Sequence, residues 1–116
     1  MSTELKRVIL EMGSGTDLHG RDYTKAASRA VQDALRHASF PLFRSLGIDP
    51  NTMQIELTLA AQKPEQIDLD AVASLLPYGT VTPRAVLGGL DVPDPETDDV
   101  CVIVNAGILV RLPFAA

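Results

Sequence analysis

An alanine-rich stripe constrains the folding of this 116-residue chain more than any other feature of it. Ala27, Ala30, Val31, Ala34, Leu35 and Ala38 recur at helical spacing, and Ser28, Arg29, Gln32, Asp33 and Arg36 fall on the opposite side. That period predicts an amphipathic helix from about Asp22 to Ala38. Its buried face carries mostly methyl groups, so the helix can approach a sheet closely. Asp22 is placed to cap it by accepting a hydrogen bond from a first-turn amide. A strand-like run from Lys6 to Met12 precedes the helix, and Gly13-Ser-Gly15-Thr-Asp17-Leu-His19-Gly20-Arg21 connects the two.

The remaining elements follow from pattern and punctuation. Ser39-Phe-Pro41 closes the helix and Gly47-Ile-Asp-Pro50-Asn makes a turn. Met53, Ile55, Leu57 and Leu59 then alternate with Gln54, Glu56 and Thr58, which reads as a half-buried strand ending near Ala61. A short helix is expected from about Asp68 to Leu76, stopped by Pro77-Tyr78-Gly79. Thr80–Gly88 reads as a third strand, and Pro83 in it argues for an edge or a bulge. Gly88-Gly89 suits a bulge or turn. Asp91 to Asp99 is an acidic, proline-containing turn with nothing to form a core. Val100–Leu112 is almost wholly apolar and is expected to be buried on both faces, with a bend or a hairpin at Asn105-Ala106-Gly107.

The order is therefore β-α-β-α-β-β in a single α/β (α+β) domain spanning 1–116: a four-stranded mixed sheet with two helices on one face. The uncovered face needs a partner, and a closed homo-oligomer is the usual solution.

Charge and composition narrow the function. The net charge is −5 without a compensating Lys/Arg cluster, and aromatic residues make up only 4% of the chain. Nucleic acid and anionic membranes, which call for a basic footprint, are therefore not expected partners. The single cysteine, Cys101, allows no intrachain disulfide and suits a small core position in a reducing compartment. The amino terminus, Met1-Ser-Thr-Glu-Leu-Lys-Arg, has no apolar run of signal-peptide or membrane length. The expectation is a cytoplasmic protein.

The glycine-rich connection is where chemistry is expected. Strand, glycine loop and helix is the layout of phosphate sites, yet both nucleotide fingerprints fail. Gly13 and Gly15 fit the first two glycines of the dinucleotide motif, but Leu18 stands at the third position. Gly15 and Gly20 have P-loop spacing, but Arg21-Asp22 replaces Lys-Ser/Thr and Asp17 puts a negative charge inside the cradle. Asp17 and His19 are candidates for acid/base or positioning roles, and equally for fixing the turn through backbone bonds. They would also be the ligands of a divalent metal, with Asp22 as a third; no other cofactor is implied. His37 lies about 22 Å along the helix from the loop and can join it only across a subunit interface. Lys25 opposes the helix dipole, so it is either solvated or held by an anion such as Asp22, Asp17 or a ligand. Arg84 and, after it, Gly88-Gly89-Leu90-Asp91 could line a site, Asn105 is expected to satisfy local backbone, and Arg111 to reach solvent.

Gly13-x-Gly15-x-Asp17-x-His19-Gly20 resembles the G-x-G-x-D-x-H-G signature of the "Lin" conserved-hypothetical family of bacterial genomes. The resemblance runs on through Asp22-x-Thr24-Lys25-Ala26-Ala27, Arg29-Ala30-Val31, His37, Leu76-Pro77-x-Gly79 and Gly88-Gly89-Leu90. It implies an identity but no reaction. The element order is also similar to chorismate mutase-like folds, whose small trimers place ligand sites between subunits. The ring-opening amidohydrolases concatenate three such units, and Lys25 looks like their lysine, without an assignable serine partner. Together these readings imply a homo-oligomer, a trimer or higher, acting on a small polar or cyclic amide-like metabolite as a hydrolase or isomerase. Asp17, His19 and Lys25 would be its catalytic groups, and Gly13, Gly15, Gly20, Arg21, Asp22 and Thr24 its ligand-binding ones. The alternative is a non-catalytic metabolite- or metal-binding module.

Overall fold

A computed structural model describes residues 3–37 and 45–115. Five strands, β1 (Thr3–Asp17), β2 (Gln54–Ala61), β3 (Thr80–Leu87), β4 (Leu90–Pro93) and β5 (Val100–Ala115), form one sheet. Among the described residues the helices α1 (Tyr23–His37) and α2 (Leu69–Ala73) accompany it, with single 3-10 turns at Pro50–Thr52 and Pro64–Gln66. The strand order is β1-β5-β2-β3, and β4 also pairs with β5, alongside the first residues of that strand. β2 and β3 are parallel; the pairings of β5 with β1, β2 and β4 are antiparallel.

The architecture is the expected α+β mixed sheet, with a fifth short strand, β4, at the start of the segment expected to be an acidic turn. β5 is its spine. No hairpin interrupts it: pairing with β1 runs without a register shift through Asn105, Ala106 and Gly107. Its burial alternates strictly. Val102, Val104, Ala106, Ile108, Val110 and Leu112 are buried toward the helices, whereas Cys101, Ile103, Gly107, Leu109 and Arg111 are only half-buried. The expectation of burial on both faces therefore fails within one chain, because both helices lie on the same side. β2 alternates as its sequence predicts, with Ile55, Leu57, Leu59 and Ala61 inside. Pro83 stands on the edge strand β3, where a missing N–H costs no ladder bond.

α1 begins and ends inside its expected span. Asp22 caps it, its Oδ1 accepting from Lys25 N at 3.0 Å. Ala38 and the Ser39–Pro41 stop lie outside the described residues. Asp68 similarly caps α2, accepting from Ala71 N at 3.1 Å, but α2 ends at Ala73, short of Leu76.

Gly13 and Gly15 are not in a loop. β1 continues through both to Asp17, and α1 lies directly on their backbone. A Cβ at Gly13 would stand 2.4 Å from Ala30 O and 2.5 Å from Ala34 N. One at Gly15 would stand 2.2 Å from Ala26 O and 2.3 Å from Ala30 N. These glycines are required for the absence of a side chain, and the alanine stripe is the other half of the same contact. Because only backbone atoms stand in the way, neither side can yield by changing rotamer. Gly15→Ala is therefore expected to cost about 3 kcal/mol or more, read as a shift of the denaturant midpoint at constant slope.

Candidate functional site

At the end of β1 the chain must turn from strand to helix within a few residues. Gly20 (φ 99°) and Arg21 (φ 53°) both take left-handed backbone to do it, a conformation disfavoured for the arginine. The turn is held from beneath by Asp17, whose surface is only 3% exposed. Its Oδ2 accepts from Asp22 N at 2.9 Å, and Oδ1 lies 3.7 Å from Lys25 Nζ and 3.9 Å from an Arg29 guanidinium nitrogen. Arg29 also donates to Thr16 O at 2.6 Å. The carboxylates of Asp17 and Asp22 both sit at the helix N-terminus, where negative charge is favoured. They offset the cation Lys25, which the dipole alone would disfavour. Thr24 is likewise engaged in the frame: its hydroxyl accepts from Asp68 N at 2.9 Å and donates to Gln66 O at 3.4 Å.

His19 and Arg21 face the acidic segment instead. His19 Nδ1 is 2.8 Å from Asp99 Oδ2, and Arg21 donates to the backbone carbonyl of Asp98. Asp99 is oriented by a bond from Val100 N to its other oxygen, at 2.9 Å. The hydrogen bond from His19, followed by that from Val100, holds the Asp99 carboxyl below its ordinary pKa. Asp94 N donates to Asp99 O at 3.0 Å and closes the loop. Two shallow depressions meet at this pair. One of about 490 Å³ is lined by His19, Gly20, Arg21, Asp94, Thr97, Asp98 and Asp99. The other, about 350 Å³ and mostly apolar, is lined by Leu18, Val92, Pro93, Pro95 and Cys101 together with His19, Asp94 and Asp99.

Beneath the loop, Tyr23 donates its hydroxyl to Asp91 Oδ2 at 2.5 Å. This ties the first turn of α1 to β4. Asp91 Oδ1 is buried and has no hydrogen-bond partner among the described residues. Burial first, and then the bond to Asp91, push the Tyr23 hydroxyl up to about 12.

Of the residues expected to form a site, the structure therefore brings His19, Gly20 and Arg21 to one depression. It places Asp17, Asp22, Lys25 and Thr24 in the strand–helix junction and Gly13 and Gly15 under α1. Asp17 and His19, two positions apart, serve different structures. Among the described residues no group of three or more His, Cys, Asp or Glu side chains is gathered to hold a metal ion. Asn105 donates to the Ser14 hydroxyl at 3.0 Å rather than to local backbone, and Arg111, its side chain 34% exposed, pairs with Glu56 at 2.5 Å. Sequence reasoning offered Asp91 only as part of a possible lining and missed Asp99, Asp98 and Tyr23. The available signal was charge: five carboxylates between positions 91 and 99 in a chain whose glycine-rich connection carries a histidine and an arginine.

Two consequences are measurable. A hydroxyl pKa raised on folding stabilises the protein fully below the unfolded value of about 10. That contribution is lost as pH rises toward 12, so Tyr23→Phe should flatten the alkaline limb of the stability profile. It should also cost about 1–3 kcal/mol at neutral pH by stripping Asp91 of its partner. A depressed carboxyl works in the opposite sense, its stabilisation being lost as pH falls through the folded value. His19→Ala should accordingly raise the Asp99 titration midpoint toward the ordinary carboxylate range, as followed by carboxyl-carbon NMR.

Comparison with known proteins bears on the fold and the family. No curated protein matches the chain. A crystal structure from Nostoc punctiforme, described as an FtsZ-like protein of unknown function, superposes with a TM-score of 0.77 at 36% identity. The match covers 94% of this chain and 98% of that one. No described helix is long and apolar enough to cross a membrane. Residues 7–110 match the Lin0512 family of conserved hypothetical proteins, and the chain belongs to that family.

Proposed function

We propose that the protein is a homo-oligomer that binds a small polar metabolite beside His19 and acts on it by proton transfer, as a hydrolase or isomerase. The observation that carries this reading is the His19–Asp99 pair at 2.8 Å. An ionised Asp99 accepts from Nδ1–H, which leaves the lone pair on Nε2, and among the described residues Nε2 has no partner. A nitrogen so prepared takes a proton from a substrate and returns it, with Asp99 stabilising the imidazolium formed in between. Arg21, tethered through Asp98 O, supplies N–H donors to a carbonyl or carboxylate at the same mouth. Asp17, Asp22 and Lys25 support the chemistry indirectly, by fixing the turn that presents both side chains.

A second reading is favoured by one observation. The His19 side chain is 85% exposed, whereas proton transfer gains from a site that excludes water. A non-catalytic metabolite-binding module fits an open depression as well.

Small cyclic amides such as hydantoin, dihydrouracil and barbituric acid, assayed for both binding and turnover, separate the two. The catalytic reading expects turnover that falls about 10²–10⁴-fold in His19→Ala and less in Asp99→Asn, with melting nearly unchanged in both. Binding that requires His19 without turnover supports the module, and binding and turnover indifferent to His19 sink both.

A further inference from the structure

Among the described residues nothing covers the sheet face turned away from the helices. Its centre is β5, flanked by Leu10 and Met12 of β1, with Leu90 and Val92 of β4 beside the first residues of β5. Leu5, Leu10, Met12, Leu90 and Val92 are all exposed, Met12 at 71%. The free edges are defended. β1 carries Lys6, Arg7 and an irregularity between Arg7 and Ile9, its Ser14 N–H is taken by Asp33 at 3.0 Å, and β3 carries Pro83. Charges and bulges of this kind discourage edge-to-edge pairing, so growth of the sheet sideways is blocked while its face is not.

Three observations specify what covers that face. Gly107 is the middle residue of the open side of β5, and a Cβ there would meet nothing within 4 Å. The chain's own packing does not require this glycine, and glycine inside a strand often marks a close approach by another backbone. Second, the face is polarised along the strands. Arg7 and Arg111 stand directly opposite each other at one end, and among the described residues only Arg111 has an ion-pair partner, Glu56 of β2 on its far side; like charges placed this way are unfavourable alone. At the other end lie Asp94, Glu96 and Asp98, whose carboxylates have no ion-pair partner among the described residues. Third, the apolar depression at that acidic end, lined by Leu18, Val92, Pro93, Pro95 and Cys101, has a counterpart. Beyond the last β2 pairing at Arg111, β1 and β5 continue as a two-stranded ribbon that holds Leu5 out at 53% exposure. Such a ribbon is marginal without further packing.

We infer that a second copy of this chain packs on the open face with its strands antiparallel, about a two-fold axis passing close to Gly107. In that arrangement Leu5 at the ribbon end of each copy enters the apolar depression beside His19 of the other, and the Arg7–Arg111 end turns toward the acidic loop. The other two-fold axis within the plane of the interface, along the strands, would set acidic loop against acidic loop. From Cys101 to Pro113 the face runs about 40 Å, and three to four strands make it about 15–19 Å wide. That is roughly 600–750 Å² per copy, near the about 800 Å² of a standard interface. The pairing rests on the reading of the protein as a homo-oligomer; it adds that each His19–Asp99 depression is walled in part by the neighbouring copy.

Light scattering on the full chain, with variants and a short bismaleimide cross-linker, tests this. An even-numbered assembly is expected for the natural chain. Gly107→Val and Leu5→Asp should each weaken it at least about tenfold while leaving the circular dichroism of the dilute chain unchanged. Pro113→Cys should cross-link to the native Cys101 of another copy across the about 10 Å between packed sheets, whereas the natural chain should not cross-link through Cys101 alone. A monomer overturns the homo-oligomer itself. An odd-numbered ring, assembly indifferent to Gly107→Val and Leu5→Asp, or efficient Cys101-to-Cys101 cross-linking leaves a homo-oligomer standing and overturns this arrangement.

Discussion

The contact on which the rest of the structure depends is that of α1 with the bare backbone of β1. With Gly13 and Gly15 beneath and Ala26, Ala30 and Ala34 above, helix and strand meet with almost no side chain between them. Interiors are close-packed, and a contact made of backbone has no rotamers with which to adjust. Position and tilt of the helix are therefore tightly set. The helix must start where β1 ends, so the connecting turn is short and requires positive φ at Gly20 and Arg21. The role of Asp17 follows from this, as a buried carboxylate at the end of the strand that faces the first amides of the helix. Its two cationic neighbours and its bond to Asp22 N make the burial tolerable, because a buried charge is costly unless paired and hydrogen-bonded.

Seen from the site, that junction is a mounting. His19 and Arg21 project from this strand–helix turn, and both reach the loop preceding β5. The loop is fixed in turn, through the Tyr23–Asp91 bond below and the Asp94–Asp99 closure within. An imidazole on a wandering loop would hold Asp99 only part of the time. Here the two supports belong to the same core, so their separation is set by packing and the hydrogen bond follows from it.

How much of this is legible in the sequence depends on range. The alanine stripe, the Asp22 cap, the alternation of β2 and the edge character of β3 are local patterns, and each is readable. Gly13 and Gly15 are visible but easily misread, because glycine serves two purposes that look alike in a sequence: freedom of φ and absence of a Cβ. Only the partner elements tell which is in use. Distance hides the rest. His19 and Asp99 are 80 positions apart and Tyr23 and Asp91 are 68 apart; neither pairing follows from spacing. The apolar run of β5 looks too long for a small sheet, since nothing local reveals that β1 is long enough to pair with all of it.

The open face fits the same logic. A helix seated on glycine and alanine brings little apolar volume to the core, so the inner layer is thin. The larger apolar side chains of β1, Leu5, Leu10 and Met12, are turned to the opposite side. Covering one face with small residues thus leaves the larger ones on the other, and β5 lends apolar residues to each, alternate positions from Val102 to Leu112 inside and Ile103 and Leu109 outside. A chain built this way has two unequal cores: a complete one under the helices, and half of another on the sheet. Under the pairing inferred above, a rotated copy of the same face would complete the second with matching shape and inverted charge.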